Sequence, residues 1–142
     1  MELQFMRLQE QDIIQLRDIS EEFSSIDIAE VKPFLAEKQN IAFVAKLGDK
    51  IVGLLYGYSL TDFEDGTSQF YIYSVDIHSD YQDKGCGSRF MQYVIEWAKN
   101  NGFRKCYLHA DEDNLRACRV YEKIGMASIK TNEFSIDFPE ND

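Results

Sequence analysis

The chain is poor in the residues that build covalent or metallic frameworks. It has three cysteines and two histidines in 142 residues. Cys86, Cys106 and Cys118 are odd in number and have no short paired spacing. They read as reduced thiols of a cytoplasmic protein, which excludes a disulfide frame and a zinc site. His78 and His109 lack partners at metal-ligand spacing and read as non-metal residues, so no metal is expected. No apolar run approaches the roughly 20 residues that a membrane helix needs. Met1-Glu2-Leu3-Gln4 shows no basic region followed by an apolar stretch, so no secretory signal is expected. Positive charge is scarce too: 15 Lys and Arg against 25 Asp and Glu give a formal charge of -10. Nucleic acid is therefore not an expected partner, because phosphate binding needs clustered Lys and Arg. The acidic balance permits a cationic substrate, and it equally serves solubility. Repeats, low-complexity segments and Pro/Ser/Gly linkers are missing as well. One domain over residues 1–142 is expected, long enough for a hydrophobic core.

What is present is an alternation of strand and helix patterns. Leu3–Leu8 reads as a first strand. Residues 10–23 carry Ile13, Ile14, Leu16, Ile19 and Phe23 at near-helical spacing. Asp27 is placed to cap a second helix through Val31, Phe34 and Leu35, with Pro33 near its start. Ile41–Leu47, Ile51–Leu60 and Phe70–Ile77 read as three antiparallel strands, joined at Gly48-Asp49 and at Asp62–Thr67. Strict alternation in the third puts Tyr71, Tyr73, Val75 and Ile77 on one face and Ile72, Ser74, Asp76 and His78 on the other. Phe90, Met91, Val94, Ile95, Trp97 and Ala98 then form one apolar helical stripe, ended by Asn101-Gly102. Cys106–Ala110 reads as a short strand, residues 114–124 as a helix closed by Gly125, and Phe134–Phe138 as a final strand. The fold class is α+β, with a mixed, mostly antiparallel sheet flanked by helices.

The stretch from His78 to Ser88 joins the strongest strand to the strongest helix, and small residues gather where that helix begins. The first amides of a helix have no internal acceptor, glycines let such backbone curl around an anion, and the helix dipole adds partial positive charge. A pyrophosphate site is the natural use. Two familiar versions fail: no Gly-Lys-Ser/Thr follows the last glycine, and Gly85 and Gly87 are followed by Phe90 where a dinucleotide loop wants a third glycine. On the loop alone, an ordinary helix-initiating turn stands as the alternative.

Gln82, Gly85 and Gly87 fit the pattern Gln/Arg-x-x-Gly-x-Gly/Ala. Downstream, Asn114, Ala117, Tyr121 and Gly125 fit Asn-x-x-Ala-x-x-x-Tyr-x-x-x-Gly-Phe, with Met126 in place of the aromatic. In these two motifs the chain resembles the GNAT superfamily of N-acetyltransferases, over at least residues 40–130. The resemblance implies central strands that splay apart around acetyl-coenzyme A. The pyrophosphate would rest on Gln82, Asp83, Lys84, Gly85, Cys86, Gly87 and Ser88, and the pantetheine would pair with Val75, Asp76 and Ile77 as an added strand. Asn114 and Tyr121 complete the implied cofactor set.

Acetyl transfer to an amine requires loss of an amine proton, stabilisation of the carbonyl oxygen and reprotonation of the leaving thiolate. The resemblance makes Tyr121 the expected general acid and gives the oxyanion to the Asp76 or Ile77 amide. Asp76 and Asp111 are the candidate bases, with a water chain as the alternative; Glu112 and Asp113 read equally as a solvated loop that caps the next helix. Direct transfer leaves no nucleophilic role for Cys86. Phe70–Ile77, Ala110-Asp111 and Phe134–Phe138 are similar to the matching stretches of GNAT-type aminoglycoside 3-N-acetyltransferases, which implies a small polycationic amine as acceptor. The chain departs from that pattern at Ser74, where an aspartate is expected, and carries Asp76 instead. A protein acetyltransferase and a non-catalytic acyl-coenzyme A-binding module remain as alternatives. The apolar final strand, placed at an edge, also raises the expectation of a homodimer through the C-terminal region.

Overall fold

The computed structural model describes residues 2–140. Its elements are strand β1 (Leu3–Arg7), helix α1 (Ile28–Ala36), strands β2 (Asn40–Leu47), β3 (Lys50–Thr61) and β4 (Ser68–Ile77), helix α2 (Cys86–Asn100), strand β5 (Lys105–Leu108) and helix α3 (Leu115–Lys123). They form a five-stranded sheet in the order β1-β2-β3-β4-β5. The first three pairings are antiparallel, and β4 pairs β5 in parallel.

Each face of the sheet has its own apolar layer. On one face, Phe90, Met91, Val94 and Ala98 of α2 pack against Phe43, Leu55, Phe70 and Ile72. The stripe expected from sequence is the buried one, and Trp97 extends it, lying edge-on to Phe43 with centroids 4.9 Å apart. On the other face, Ile13, Leu16, Ile19, Phe23 and Val31 cover Ala42, Val44, Ile51 and Leu54. Asp27 caps α1 as expected, accepting the Glu30 amide at 3.1 Å.

Three expectations need correction. Residues 10–23 do not form an α-helix; they form 3-10 segments at Glu10–Asp18 and Glu21–Phe23. Buried Ile13, Leu16 and Ile19 are three residues apart, which matches the three-residue turn of a 3-10 helix, and Ile14 is left exposed. Asp12 holds this segment to the sheet through a 3.0 Å ion pair with Lys46.

The second correction concerns β4. Tyr56 opposes Ser74 while Gly57 opposes Ile72, so Tyr73 is an extra residue in a bulge. The bulge shifts the alternation by one. Phe70 and Ile72 before it, and Val75 and Ile77 after it, all belong to the layer beneath α2. Val75 and Ile77 therefore do not share a face with Tyr71 and Tyr73.

The third is the final strand. Residues 126–140 contain no helix or strand, and Phe134, Ile136 and Phe138 are exposed. The alternation is present, but the segment has no strand of its own chain as a neighbour.

Gly57 permits the bulge. A Cβ there would stand 2.0 Å from the Tyr71 carbonyl oxygen and 2.9 Å from the Ile72 Cα. Both obstacles are backbone, so relief requires the strands to separate. Gly57→Ala is expected to lower unfolding free energy by about 2–3 kcal/mol in urea denaturation. An unchanged midpoint would show that the bulge does not depend on this close approach.

Candidate active site

The site forms where β4 outlasts its neighbour. Parallel pairing runs from Gln69–Lys105 to Ile72–Leu108 and stops. From Tyr73 to Ile77, β4 has a strand neighbour only on the β3 side, and of its outward backbone groups the Ile77 carbonyl is taken up by Gln82 Nε2. This leaves an open row of backbone donors and acceptors facing a gap, the geometry that accepts an added extended segment.

The gap leads into the loop before α2. His78 starts a 3-10 turn over Ser79–Tyr81, where its Nδ1 accepts the Asp80 amide at 3.1 Å. Asp83 and Gly85 then adopt positive φ values of 61° and 81°. A left-handed residue of this kind turns successive amides to one side. Among the described residues, the amides of Asp83 through Ser88 have no hydrogen-bond acceptor. They converge at the N-terminus of α2, where the helix dipole is positive. Gly85 is needed for its backbone angle. Gly87 has a different role: a Cβ there would meet only Ile77 Cγ1 at 3.9 Å. The protein leaves room at Gly87 that its own packing does not use.

Gln82 and Arg116 fix the loop to the rest of the cleft. Gln82 Nε2 donates to the Ile77 carbonyl at 2.9 Å, and its Oε1 accepts from Arg116 Nη1 at 2.7 Å. Arg116 Nη2 also pairs with Asp83 at 3.3 Å. The end of β4, the loop and α3 are thereby joined through two exposed polar side chains. Lys50 and Lys84 lie over the Tyr81 ring, 5.3 and 5.8 Å from its centroid. Three cations thus gather around the loop in a chain with a net charge of -10. Arg116 was not singled out from sequence. The available signal was its place in the first turn of a helix, where a cation opposes the helix dipole and calls for a carboxylate partner.

Tyr121 projects from α3 and packs, half-buried, against the layer beneath α2. Burial pushes its hydroxyl pKa above the ordinary value, with further upward contributions from Cys118 and then Asp76. Asp76 therefore lies within electrostatic range of the Tyr121 hydroxyl. Asp76 accepts a 2.7 Å hydrogen bond from Ser74 Oγ. Asn114 is used as the cap of α3, accepting the Ala117 amide at 3.2 Å. Asp111 lies in the preceding turn, and its backbone carbonyl receives the Asn114 amide at 2.9 Å and the Cys118 thiol at 3.7 Å. No hydrogen bond or ion pair joins the Asp111 carboxylate to Asp76 or Tyr121. Cys86 is buried at the first position of α2. Cys106 is pushed up to about 11 by burial, which makes it a poor nucleophile at neutral pH.

An aromatic surface that was not foreseen borders the gap on the side away from α2. Tyr73 stacks on Tyr56 at 5.8 Å and meets Tyr58 and Tyr71 edge-on at 5.8 and 6.2 Å. Phe34 of α1 closes one end against Tyr56, and Tyr107 stacks on Tyr71 at 4.9 Å at the other. The Tyr71 hydroxyl is 2.9 Å from His109 Nδ1. The bulge creates this surface by turning Tyr73 outward. Among the described residues, no three His, Cys, Asp or Glu side chains gather as metal ligands. No helix there is long and apolar enough to cross a membrane.

A model of the acetyltransferase (GNAT) family matches residues 8–126. The N-alpha-acetyltransferase 30 of Schizosaccharomyces pombe is 28% identical over 122 residues, covering 84% of this chain and 78% of that protein. The uncharacterized N-acetyltransferase YobR of Bacillus subtilis is 32% identical over 63 residues, covering 44% of this chain and 26% of its own length. The chain spans about half the length, or less, of YobR and of the vertebrate relatives that follow it. Among solved structures, an aminoglycoside acetyltransferase from an uncultured soil metagenomic sample, in complex with sisomicin, has a TM-score of 0.85 at 24% identity, covering 96% of this chain and 97% of that one. Its complex with trehalose gives the same TM-score at 26% identity.

The unused room at Gly87 separates ligand binding from folding. Gly87→Ala is expected to leave the melting temperature unchanged or slightly higher, since alanine favours the helix by up to about 1 kcal/mol. The same methyl group blocks approach to the amide nest, so calorimetry should show acetyl-coenzyme A affinity reduced at least tenfold. Unaltered affinity would mean that the phosphates lie elsewhere.

Proposed function

The chain belongs to the acetyltransferase (GNAT) family, and from that premise we propose that it transfers the acetyl group of acetyl-coenzyme A directly to a primary amine of a small, polycationic, aminoglycoside-like molecule. The observation that carries this reading is the free edge of β4, which runs from Tyr73 into the unpaired amides of Asp83–Ser88. The ligand fits that path. Val75, Asp76 and Ile77 pair with its amide-containing arm, the amides from Asp83 to Ser88 receive its pyrophosphate, and Lys84 and Arg116 supply countercharge. Gln82 and Asn114 act here by holding the loop and α3 in place. When bound, acetyl-coenzyme A supplies an acyl group on a good leaving thiol.

The protein's residues do the rest. The Asp76 or Ile77 amide is the donor to the carbonyl oxygen as it gains negative charge. Tyr121 keeps its proton across the neutral range, because burial raises its pKa. It is therefore ready to protonate the departing sulfur. Either Asp76 or Asp111, at the outer end, accepts the one amine proton, directly or through water. The tyrosine surface attracts an ammonium group through its ring faces, an interaction of about 0.5–2 kcal/mol per ring. The sisomicin complex of the structurally similar protein supports a small polycationic acceptor. A protein N-terminus is the second reading, favoured by the similarity to N-alpha-acetyltransferase 30 over most of this chain. The proposal takes residues 1–142 as one catalytic domain, active in the cytoplasm without a metal and associating as a homodimer.

Two measurements test it. Coenzyme A release with aminoglycosides, polyamines and N-terminal peptides identifies the acceptor class. Stimulation by aminoglycosides or polyamines but not peptides is expected, and stimulation by peptides alone supports the second reading. Tyr121→Phe is expected to lower kcat about 10²–10³-fold, the usual range for a lost general acid. Its Kd for acetyl-coenzyme A should stay within about threefold, because the ring is retained. With a raised Tyr121 pKa, wild-type kcat should show no alkaline decline from this group below about pH 10. Undiminished turnover in Tyr121→Phe across that range removes the acid role.

A further inference from the structure

Strict alternation along β4 would carry Ser74 and Asp76 into the core layer with Phe70 and Ile72. The bulge at Tyr73 prevents this. Past it, Val75 and Ile77 take the core side, and alternation sends Ser74 and Asp76 to the opposite face. Their cross-strand partners agree: Ser74 opposes Tyr56 and Asp76 opposes Leu54, both of which belong to the second apolar layer. Two half-buried polar side chains thus stand on the face that carries the tyrosine rings. There the Ser74 hydroxyl donates to Asp76 Oδ2 at 2.7 Å. Among the described residues, Asp76 Oδ1 has no hydrogen-bond partner.

Acetyl transfer needs one carboxylate held at the amine, and Asp76 and Asp111 differ in how they are held. Asp111 is exposed, and only its backbone carbonyl is engaged among the described residues. The Asp76 carboxylate is fixed at one oxygen and free at the other. A hydroxyl has one proton to give and two lone pairs to receive with, so Ser74 can hold Asp76 and still accept a bond. Tyr56 stands next to it. Burial raises the Tyr56 pKa above its ordinary value, and contact with the Ser74 hydroxyl is the largest opposing influence. Tyr56 therefore keeps its proton at neutral pH and has it available for Ser74.

Resting on the acetyl-transfer reading above, we propose that Ser74 is a positioning residue for the reaction: it fixes the Asp76 carboxylate so that Oδ1 receives the acceptor's proton, and Tyr56 holds Ser74 in turn. Asp76 takes one proton from the ammonium, which frees the nitrogen lone pair. The C–N bond then forms as the C–S bond breaks. The second proton to leave nitrogen restores Tyr121 after Tyr121 has protonated the sulfur. Asp76 returns its own proton to water. Acid and base thus work from opposite faces of the sheet, Tyr121 from the α2 side and Asp76 from the tyrosine side.

Two readouts test this role. One needs no substrate: three-bond couplings about the Asp76 Cα–Cβ bond should report a single rotamer in the ligand-free protein and averaged rotamers in Ser74→Ala. The other is coenzyme A release with spermidine, an aminoglycoside and an N-terminal peptide as acceptors. Ser74→Ala should lower kcat about 10–100-fold, the scale of a small misplacement of a reacting group, with acceptor KM and acetyl-coenzyme A Kd within about threefold. Ser74→Thr keeps the hydroxyl and should restore kcat to near the wild-type value. In an Asp76→Asn background, Ser74→Ala should have no further effect, since Ser74 acts through that carboxylate. Multiplying effects of the two substitutions overturn the proposal. So does an unchanged kcat in Ser74→Ala, or a Ser74→Thr enzyme no better than the alanine one. Averaged Asp76 couplings in the wild-type protein overturn it without reference to any substrate. Lack of turnover by the wild-type protein brings down the acetyl-transfer reading and this role together, whereas turnover with any of the preceding outcomes brings down this role alone.

Discussion

Strands β4 and β5 share hydrogen bonds only as far as Ile72–Leu108, and β4 then continues alone to Ile77. Unpaired backbone inside a sheet is costly unless something else satisfies it. Here three local features hold the gap open. Gly57 lets β3 and β4 approach closely enough for Tyr73 to bulge, the bulge returns Val75 and Ile77 to the core, and Gln82 ties the Ile77 carbonyl to α3 through Arg116. The core layer beneath α2 supplies the rigidity, with Phe43, Phe70 and Phe90 fully buried against one another's neighbours.

The chemistry follows from what borders that gap. One end has amides in excess and three cations, in a protein that is otherwise acidic. The middle has a tyrosine kept protonated by burial, with a carboxylate nearby. The far end has a surface of tyrosine rings. An anionic, extended ligand suits the first, a proton donor and acceptor pair the second, and a cation the third. The order of these environments along one strand is what makes transfer from a phosphorylated carrier to an amine the natural reading.

Much of this was legible in the sequence. The stripe on α2, the three antiparallel strands and the cap at Asp27 depend on local periodicity and local hydrogen bonds. Gln82, Gly85 and Gly87 stood out through the resemblance of their spacing to a family motif, and Gly85 also through the left-handed backbone that the start of α2 requires. The misreadings have non-local causes. The phase of β4 was lost at Tyr73 because a bulge is set by the facing strand, through the close approach at Gly57. The tyrosine surface was hidden for the same reason, since strict alternation placed Tyr71 and Tyr73 with Val75 and Ile77. The first helix was misread in kind because three- and four-residue spacings look alike over so short a stretch. At Phe134–Phe138 the alternation was read correctly, but a strand needs a neighbour, and its own chain offers none. Arg116 escaped notice because its partners lie more than thirty positions away.

The central claim is that the unpaired edge of β4 and the amides opening α2 together form one continuous binding surface. Amide ¹H–¹⁵N spectra recorded while acetyl-coenzyme A is added address it directly. The largest shifts should fall on the backbone from Tyr73 to Ile77 and from Asp83 to Ser88, with hydrogen exchange slowed at both. Shifts concentrated on other elements, or perturbation of the loop with the β4 amides left unchanged, would contradict the account.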